Sequence, residues 1–242
     1  MRRTALIPLA LAVPLALPFA GAASAQTSTN ANLRPVPVNG SSGSGTAMVG
    51  VNGTTIDFSL AASGLADGPH AAHIHFGADA RHECPQAAAD TDGDNRISTS
   101  EGQPAYGPIV VSLTKTGDTS DQSGLAVDRF ASGTSFQYMR GDVTVSMGVA
   151  QAVEAGQAVV VVHGVSYEGE RAQAKSDLDP SLPAAATDPA LCGVLNAAPA
   201  RGVATGAGGA ADTGSTTLLL GGAALALAAG GAGAVAARRA RG

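Results

Sequence analysis

The sequence predicts an all-β protein, a Greek-key β-sandwich or barrel, on two observations. Short runs with a strand-like alternation of apolar and polar residues recur from residue 46 to residue 163, and glycine-rich turns separate them. Glycine and proline, at 32 and 13 of 242 residues, argue against a long helical array. Many short strands joined by such turns are typical of antiparallel sandwiches and barrels.

The individual strands can be placed from these runs. Residues 46–51 and 55–61 flank Asn52-Gly53, which is a strong hairpin-turn signal. Further short strands are predicted at 71–76, 109–114, 125–130, 135–139, 142–145 and 158–163. Residues 149–155 alone have a pattern that indicates a helical turn.

The N-terminal end predicts export. Residues 1–25 combine Arg2 and Arg3 with an apolar stretch and an Ala-Ser-Ala cleavage pattern before Gln26, the features of a secretory signal peptide. An N-terminal membrane anchor is the alternative, which the prolines within the stretch disfavour. We therefore expect the chain to be secreted across the plasma membrane.

The C-terminal end predicts an anchor. A transmembrane helix is predicted at 216–237, because residues 218–237 carry no charge and could cross about 30 Å of hydrocarbon. The basic tail at 238–242 then stays in the cytoplasm and the preceding domain lies outside, at the cell surface. Together with the span and tail, residues 210–214 (AADTG) resemble a Gram-positive cell-wall sorting signal, which implies sortase processing near Thr213. A plain single-pass anchor is the alternative.

Composition divides the remaining chain and limits its partners. Residues 26–45 and 197–215 are low in complexity and are predicted to be linkers, the first of them flexible, so the ordered domain is expected at 46–196. The formal net charge is −5, but five arginines lie at the two extreme ends, and without them nine basic residues stand against 19 acidic ones. Such an acidic domain excludes a nucleic-acid partner, which needs a basic surface.

Histidines form the first candidate site. His73 and His75 are two residues apart in a predicted strand, so both imidazoles point to one face, which is a common way to hold copper or zinc. His163 follows an apolar strand and could return beside them. The alternative is a pair of surface histidines and a structural third one.

Residues 90–101 (DTDGDNRISTSE) form the second candidate site, because they fit the 12-residue calcium loop of an EF-hand. Asn95 stands where glycine is usual and tolerates the left-handed conformation. The alternative is an acidic, solvated loop. With no flanking amphipathic helices predicted, we expect a structural calcium site whose ligands are Asp90, Asp92, Asp94, the backbone carbonyl of Arg96, Ser98 and Glu101.

Cys84 and Cys192 are the only cysteines. In an exported chain a disulfide between them is the default expectation, and two free thiols are the alternative.

Four segments together resemble the CHRD (chordin-type) domain and the related Cu/Zn superoxide dismutase fold. Residues 68–77 (GPHAAHIHFG) look like the His-x-His strand of both families, and residues 156–163 (GQAVVVVH) look like a dismutase strand that ends in a copper ligand. Residues 191–195 (LCGVL) look like the C-terminal cysteine strand, and residues 106–113 (YGPIVVSL) look more like CHRD. The resemblance implies His73, His75 and His163 as copper ligands, with His70 or His82 as a fourth, and a Cys84–Cys192 disulfide.

The chain also departs from the dismutase pattern. Between His75 and His163 it has one histidine, His82, so the bridging and zinc ligands of a Cu/Zn dismutase cannot be mapped. Residues 187–191 (TDPAL) lack the arginine that guides superoxide in that family. We therefore expect a surface-anchored CHRD-like domain that binds metal and has an envelope or adhesion-type role. The alternatives are a copper-dependent superoxide dismutase and a copper-holding protein without turnover, so enzymatic activity stays open.

Overall fold

A computed structural model describes residues 26–197. The predicted signal peptide (1–25), sorting site near Thr213, transmembrane helix (216–237) and basic tail (238–242) lie outside the described residues, as does nearly all of the second linker (197–215). Within residues 26–197, no helix is both long enough and apolar enough to cross a bilayer.

The described residues form eleven strands and three short α-helices. The strands are β1 (Thr27–Pro35), β2 (Ser44–Asn52), β3 (Thr55–Ser63), β4 (Pro69–His70), β5 (Ala72–His75), β6 (Ile109–Ser112), β7 (Ala131–Ser132), β8 (Ser135–Thr144), β9 (Val159–His163), β10 (Pro189–Val194) and β11 (Asn196–Ala197). The helices are α1 (Thr99–Tyr106), α2 (Met147–Glu154) and α3 (Ala184–Thr187).

Nine of the strands make one antiparallel sheet that folds over the main apolar core, which confirms the prediction of an all-β sandwich. The strand order is β6-β5-β9-β10-β1-β2-β3-β8, and β11 pairs with β1. Strand β1 joins the two halves, because residues 27–33 pair with β2 whereas Arg34 and Pro35 pair with β10. The remaining strands, β4 and β7, pair with each other.

The core lies between the two halves of the sheet. Alternate residues of β3 and β9 face it, including Ile56, Leu60, Val160 and Val162, and all four are almost completely buried. Strand β9 is buried along its whole length, because it lies between β5 and β10 in the sheet and is covered on both faces. This central strand carries one of the histidines of the candidate site.

The prediction of a flexible linker at 26–45 is wrong. Strand β1 alternates between exposed and buried residues, with Thr29, Ala31 and Leu33 facing the core. Asn39, further along the same segment, is completely buried, and its side chain bonds the backbone of Ile97 and Pro189. Small polar residues hide the strand pattern in composition, but backbone pairing on both sides of β1 holds the segment in place.

Four local predictions can be compared with the observed elements. The β2–β3 hairpin and the helical turn at 149–155 are confirmed, although the hairpin turn lies at residues 53–54 because Asn52 pairs with Thr55. The strand predicted at 125–130 is wrong, because residues 127–129 form a 3₁₀ turn. The strands predicted at 135–139 and 142–145 are parts of the single strand β8, and helix α1 is an element that sequence reasoning missed.

Candidate metal centres

Strand register brings three histidines to one face of the sheet. His73 and His75 lie two residues apart in β5, and such residues point to the same side. His73 lies opposite Val161 of β9, so Val161 shares that face and His163, two residues further along, shares it too. The three rings are neighbours, with centroids 5.1–6.1 Å apart.

One nitrogen of each ring has no partner. Among the buried side-chain atoms of residues 26–197, only four make no hydrogen bond, and three of them are Nδ1 of His73, Nε2 of His75 and Nε2 of His163. One ligand nitrogen from each of these histidines lies within 4.8 Å of the other two. Because buried polar atoms in native proteins are nearly always satisfied, three unpaired nitrogens that converge indicate a site for an electron-pair acceptor, such as a metal ion.

The second nitrogen of each ring fixes its tautomer. Nε2 of His73 lies 3.0 Å from the carbonyl oxygen of Gly124, Nδ1 of His75 lies 2.8 Å from that of Gly107, and Nδ1 of His163 bonds that of Thr187. A carbonyl oxygen only accepts, so each of these nitrogens donates its N–H and the lone pair is left on the inward nitrogen. Backbone carbonyls orient metal-binding histidines in this way in known sites.

The environment also keeps the imidazoles neutral. Burial, together with the nearby imidazole of His163, lowers the pKa of His75 to about 3. Burial lowers the pKa of His163 to about 4 and holds the pKa of His73 well below its ordinary value. At neutral pH all three lone pairs are therefore free to bind a metal ion.

The structure does not bring His70 or His82 into this cluster, so neither is a fourth ligand there. Both ring nitrogens of His70 face carbonyl oxygens, those of His163 and Ala66, each 2.9 Å away. His82 stacks on Phe76 and bonds the carbonyl oxygen of Gly77. His70 instead supports the backbone of His163.

A cavity of about 290 Å³ lies beside His73 and His163. The rings of His73 and His163 form part of its wall, whereas His75 lies on the other side, against Tyr106. Most of the remaining wall is aliphatic, and it consists of side chains from the segments around residues 109, 125 and 182. The cavity therefore borders the cluster on the side of His73 and His163.

The acidic loop forms a second cluster with a different environment. Carboxylate oxygens of Asp90, Asp92 and Asp94 lie within 4.8 Å of one another, and these residues are exposed or half-buried. Asn95 adopts the left-handed conformation at φ 62°, as the sequence pattern requires at this position of a calcium loop. The three aspartates also accept bonds from the loop's own backbone, for example Asp90 from the N–H groups of Gly93 and Asn95.

Glu101 is predicted to be a calcium ligand, but its carboxylate makes hydrogen bonds within the protein. Its carboxylate accepts hydrogen bonds from the N–H and hydroxyl groups of Thr91 and of Ser98. Partial burial opposes the effect, but these four bonds lower the pKa of Glu101 to about 2. Ser98 and Glu101 form a capping box that starts helix α1, and the Ser-x-x-Glu spacing is the signal by which this helix could have been predicted.

The two clusters are connected through residues 187–188. Arg96 lies between two carboxylates, 2.7 Å from Asp94 in the loop and 3.0 Å from the completely buried Asp188. The carbonyl oxygen of Thr187 accepts hydrogen bonds from both His163 and Thr99, the first residue of α1. Sequence reasoning missed Thr187 and Asp188, because a backbone carbonyl and a single aspartate leave no recognisable pattern.

The cysteines form the predicted disulfide. Cys84 and Cys192 are bonded, with their Cα atoms 5.7 Å apart, across 108 residues of sequence. The bond fixes the long segment between β5 and α1 to the buried strand β10, next to the apolar cluster of Val36, Ile97 and Tyr106. Closing a loop of this length contributes about 4–5 kcal/mol in the chain-entropy model.

Comparisons with known proteins give one family and one group of structures. The model of the CHRD domain family matches residues 24–171, which is more than half of the chain. No curated protein matches the sequence.

Among solved structures, the chain is similar to superoxide dismutase 5 of Candida albicans in its Cu(II) form, at 16% identity and a TM-score of 0.40, covering 78% of this chain and 100% of that one. A structure of a variant of that enzyme gives 17% identity and a TM-score of 0.38, covering 72% and 90%. Similarity at these TM-scores carries no argument about the site.

Proposed function

The chain belongs to the CHRD domain family, and from that premise we propose that it is an exported, surface-anchored domain that binds copper at His73, His75 and His163. The observation that carries the proposal is the convergence of three buried, unpartnered imidazole nitrogens. A set of three imidazoles suits both copper and zinc, and for a given site Cu²⁺ binds more tightly than Zn²⁺ in the Irving–Williams order. Copper is therefore the metal that we propose.

The protein's own residues supply the orientation. The carbonyl oxygens of Gly107, Gly124 and Thr187 each accept a hydrogen bond from the outer ring nitrogen, which keeps the inner lone pair directed at the centre. Tyr106 and Phe130 pack against His75 and His73, with ring centroids 4.6 and 5.5 Å apart, and prevent those rings from turning. A copper ion bound by these three imidazoles would supply one-electron redox chemistry, or it would be held there without turnover.

We favour metal holding with an envelope or adhesion-type role over rapid dismutation of superoxide. Superoxide is an anion, and among the described residues no lysine or arginine lines the cavity beside the histidines. Asp121 lines it instead, and an acidic residue repels an anionic substrate. A copper-dependent dismutase and a copper chaperone remain the alternatives that the experiment below separates.

We also propose that the acidic loop binds Ca²⁺ through Asp90, Asp92 and Asp94. The three grouped carboxylates and the left-handed Asn95 support this second site. Glu101 would join them only if it exchanged some of its four hydrogen bonds for the ion. The ion would then order a long segment that otherwise depends on the disulfide and on Asn39.

Surface display is part of the proposal and rests on the sequence of the two ends. The signal-peptide pattern at 1–25 and the uncharged span before the basic tail support a domain held outside the membrane. The disulfide supports the same location, because such bonds persist in oxidising compartments. Sortase processing near Thr213 would replace membrane anchoring by attachment to the cell wall.

Titration of the purified protein with Cu²⁺ in competition with a chromogenic chelator tests the function. We expect one tightly bound copper per chain, nitrogen hyperfine structure in the electron paramagnetic resonance spectrum, and loss of both in His163→Ala. His82→Asn is the matched control, because His82 lies outside the cluster and asparagine tolerates its φ of 57°.

The same preparation distinguishes the alternatives. Rapid superoxide turnover that disappears in His163→Ala would establish the dismutase instead. Zinc that copper cannot displace would overturn the choice of metal, and the absence of stoichiometric binding of either ion would overturn the metal centre itself.

A further inference from the structure

The cavity beside the histidines has an apolar wall that metal binding alone does not require. Five large aliphatic side chains line it: Ile109, Leu125, Val127, Leu178 and Leu182. Leu125, Val127 and Leu178 are 43%, 46% and 48% exposed, and they are three of the seven large hydrophobic residues that the described part of the chain leaves in contact with water. Exposed apolar residues grouped around a concave surface are typical of a ligand-binding site.

Charge narrows the chemical class of the ligand. Apart from the two histidines, Asp121 is the one ionisable side chain that lines the cavity within the described residues. Its carboxylate repels anions, and the aliphatic wall makes removal of water from any charged ligand costly. The cavity therefore favours a neutral molecule.

Size and the position of the histidines define the ligand further. A volume of about 290 Å³ lies just under the typical range of roughly 300–1,000 Å³ for ligand pockets, so the occupant is small. His73, His163 and Thr99 are polar residues of the wall, and the hydroxyl of Thr99 is already bonded to the carbonyl oxygen of Thr187. A ligand that fills this space has an apolar body near Leu178 and one donor atom at the histidine end.

We propose that this cavity binds a small neutral molecule with an aromatic or branched apolar body and a single hydroxyl or ring-nitrogen donor directed at the histidine cluster. The position of the ligand's donor atom rests on the proposed function, because this atom would contact the bound metal. Binding of the apolar body depends on the wall of the cavity and not on the metal.

Equilibrium dialysis of the full-length, metal-free protein against phenol and benzoate tests the proposal, because the two probes have similar bodies and differ in charge. We expect phenol to bind at least 10-fold more tightly than benzoate. In Leu178→Arg we expect phenol binding to fall at least 10-fold and benzoate binding to rise, since the new cation sits at the mouth. Val127→Arg, from another segment of the wall, should behave in the same way.

Met139→Arg is the matched control, because Met139 is 75% exposed and lies outside the cavity, and it also corrects for uptake of phenol by detergent or lipid. Equal affinity for phenol and benzoate in the wild type would overturn the proposal. Phenol uptake that is the same in Leu178→Arg, Val127→Arg and Met139→Arg would overturn it too.

Copper-loaded protein separates this proposal from the proposed function. Phenol should perturb the electron paramagnetic resonance spectrum of bound Cu²⁺ in the wild type and in Met139→Arg, but much less in Leu178→Arg. If copper does not bind but dialysis still shows the expected difference between variants, the metal function fails and the cavity assignment stands. If copper binds and phenol uptake is absent, the cavity assignment fails alone.

Discussion

The two candidate metal centres differ in how their ligand atoms are satisfied without an ion. The inward nitrogens of His73, His75 and His163 are buried and have no partner, whereas the carboxylates of the acidic loop accept bonds from the loop's own backbone. Burial of a polar atom without a hydrogen-bond partner costs free energy, so the histidine cluster is unfavourable unless a ligand binds to it. The second can exist as a solvated loop. Ligand identity alone therefore says less about a site than whether its atoms already have partners.

The largest expected effect is on copper affinity, which should depend on the histidine cluster and not on the acidic loop. His73→Ala or His75→Ala should reduce Cu²⁺ affinity by more than the roughly 10–100-fold that loss of an outer-shell partner costs, whereas Asp90→Ala should leave it unchanged. Competition titration with a chelator measures both. Equal copper affinities in His75→Ala and Asp90→Ala would mean that the triad is not the copper site.

The stability of the copper-free protein at acidic pH also distinguishes the histidine cluster from the acidic loop. The folded pKa values of the three histidines lie below the unfolded value of about 6.5, so the unfolded state binds more protons and stability is lost as pH falls from 6.5 towards 4. Burial raises the pKa of Asp188 to about 6, and its protonation partly offsets that loss. The net loss between pH 7 and pH 5 should be about 3–5 kcal/mol.

Urea denaturation at the two pH values tests this expectation. The loss should be smaller in His163→Gln, which has one buried imidazole fewer. Glu101, with its pKa lowered to about 2, should add no pH dependence in this range. A pH dependence that is identical in His163→Gln would contradict the assignment to the triad.

Calcium should have a moderate effect that is confined to the loop. At an ion concentration about 100-fold above Kd, binding stabilises the folded state by about 2.7 kcal/mol. Asp90→Ala should remove the calcium dependence of thermal melting, and Asp128→Ala, in an exposed 3₁₀ turn elsewhere, is the control. If Asp90→Ala melts with the same calcium dependence as the wild type, the loop is only a solvated acidic segment.

The smallest effect distinguishes the two roles of Glu101. Glu101→Ala should lose about 0.5–2 kcal/mol of stability without calcium, because the bonds of the Glu101 carboxylate to Ser98 and Thr91 are removed while Ser98 still caps α1. Glu101→Gln keeps a side chain that can complete the capping box but loses the negative charge. Calcium-dependent melting in Glu101→Gln that equals that of the wild type would show that Glu101 caps the helix without binding the ion.

The parts of the fold that could be predicted are those with strong local patterns. The β2–β3 hairpin follows from Asn52-Gly53, and β9 follows from four consecutive valines before His163. Strand β1 could not be recognised in this way, because its buried residues, Thr29, Ala31 and Leu33, are mostly small and its stability comes from pairing with β2 and β10.

The same division applies to the metal centre. The spacing of His73 and His75 predicts a shared face, the family resemblance implies His163 as the third ligand, and the register of β5 on β9 shows how His163 reaches the other two. The exclusion of His70 could not be predicted, since it depends on two carbonyl oxygens that lie within reach of its ring. The backbone groups that orient the triad come from residues 107, 124 and 187, and backbone carbonyls leave no trace in sequence.

The spread of the triad along the chain also sets an order of events. His73 and His75 leave the ribosome or the translocation channel long before His163, and the carbonyl of Thr187 that orients His163 follows later still. Strand β9 then has to pair with both β5 and β10 before the three nitrogens lie close together. An emerging chain therefore has no metal centre, and under the proposed function the ion would bind only to the finished domain, on whichever side of the membrane folding is completed.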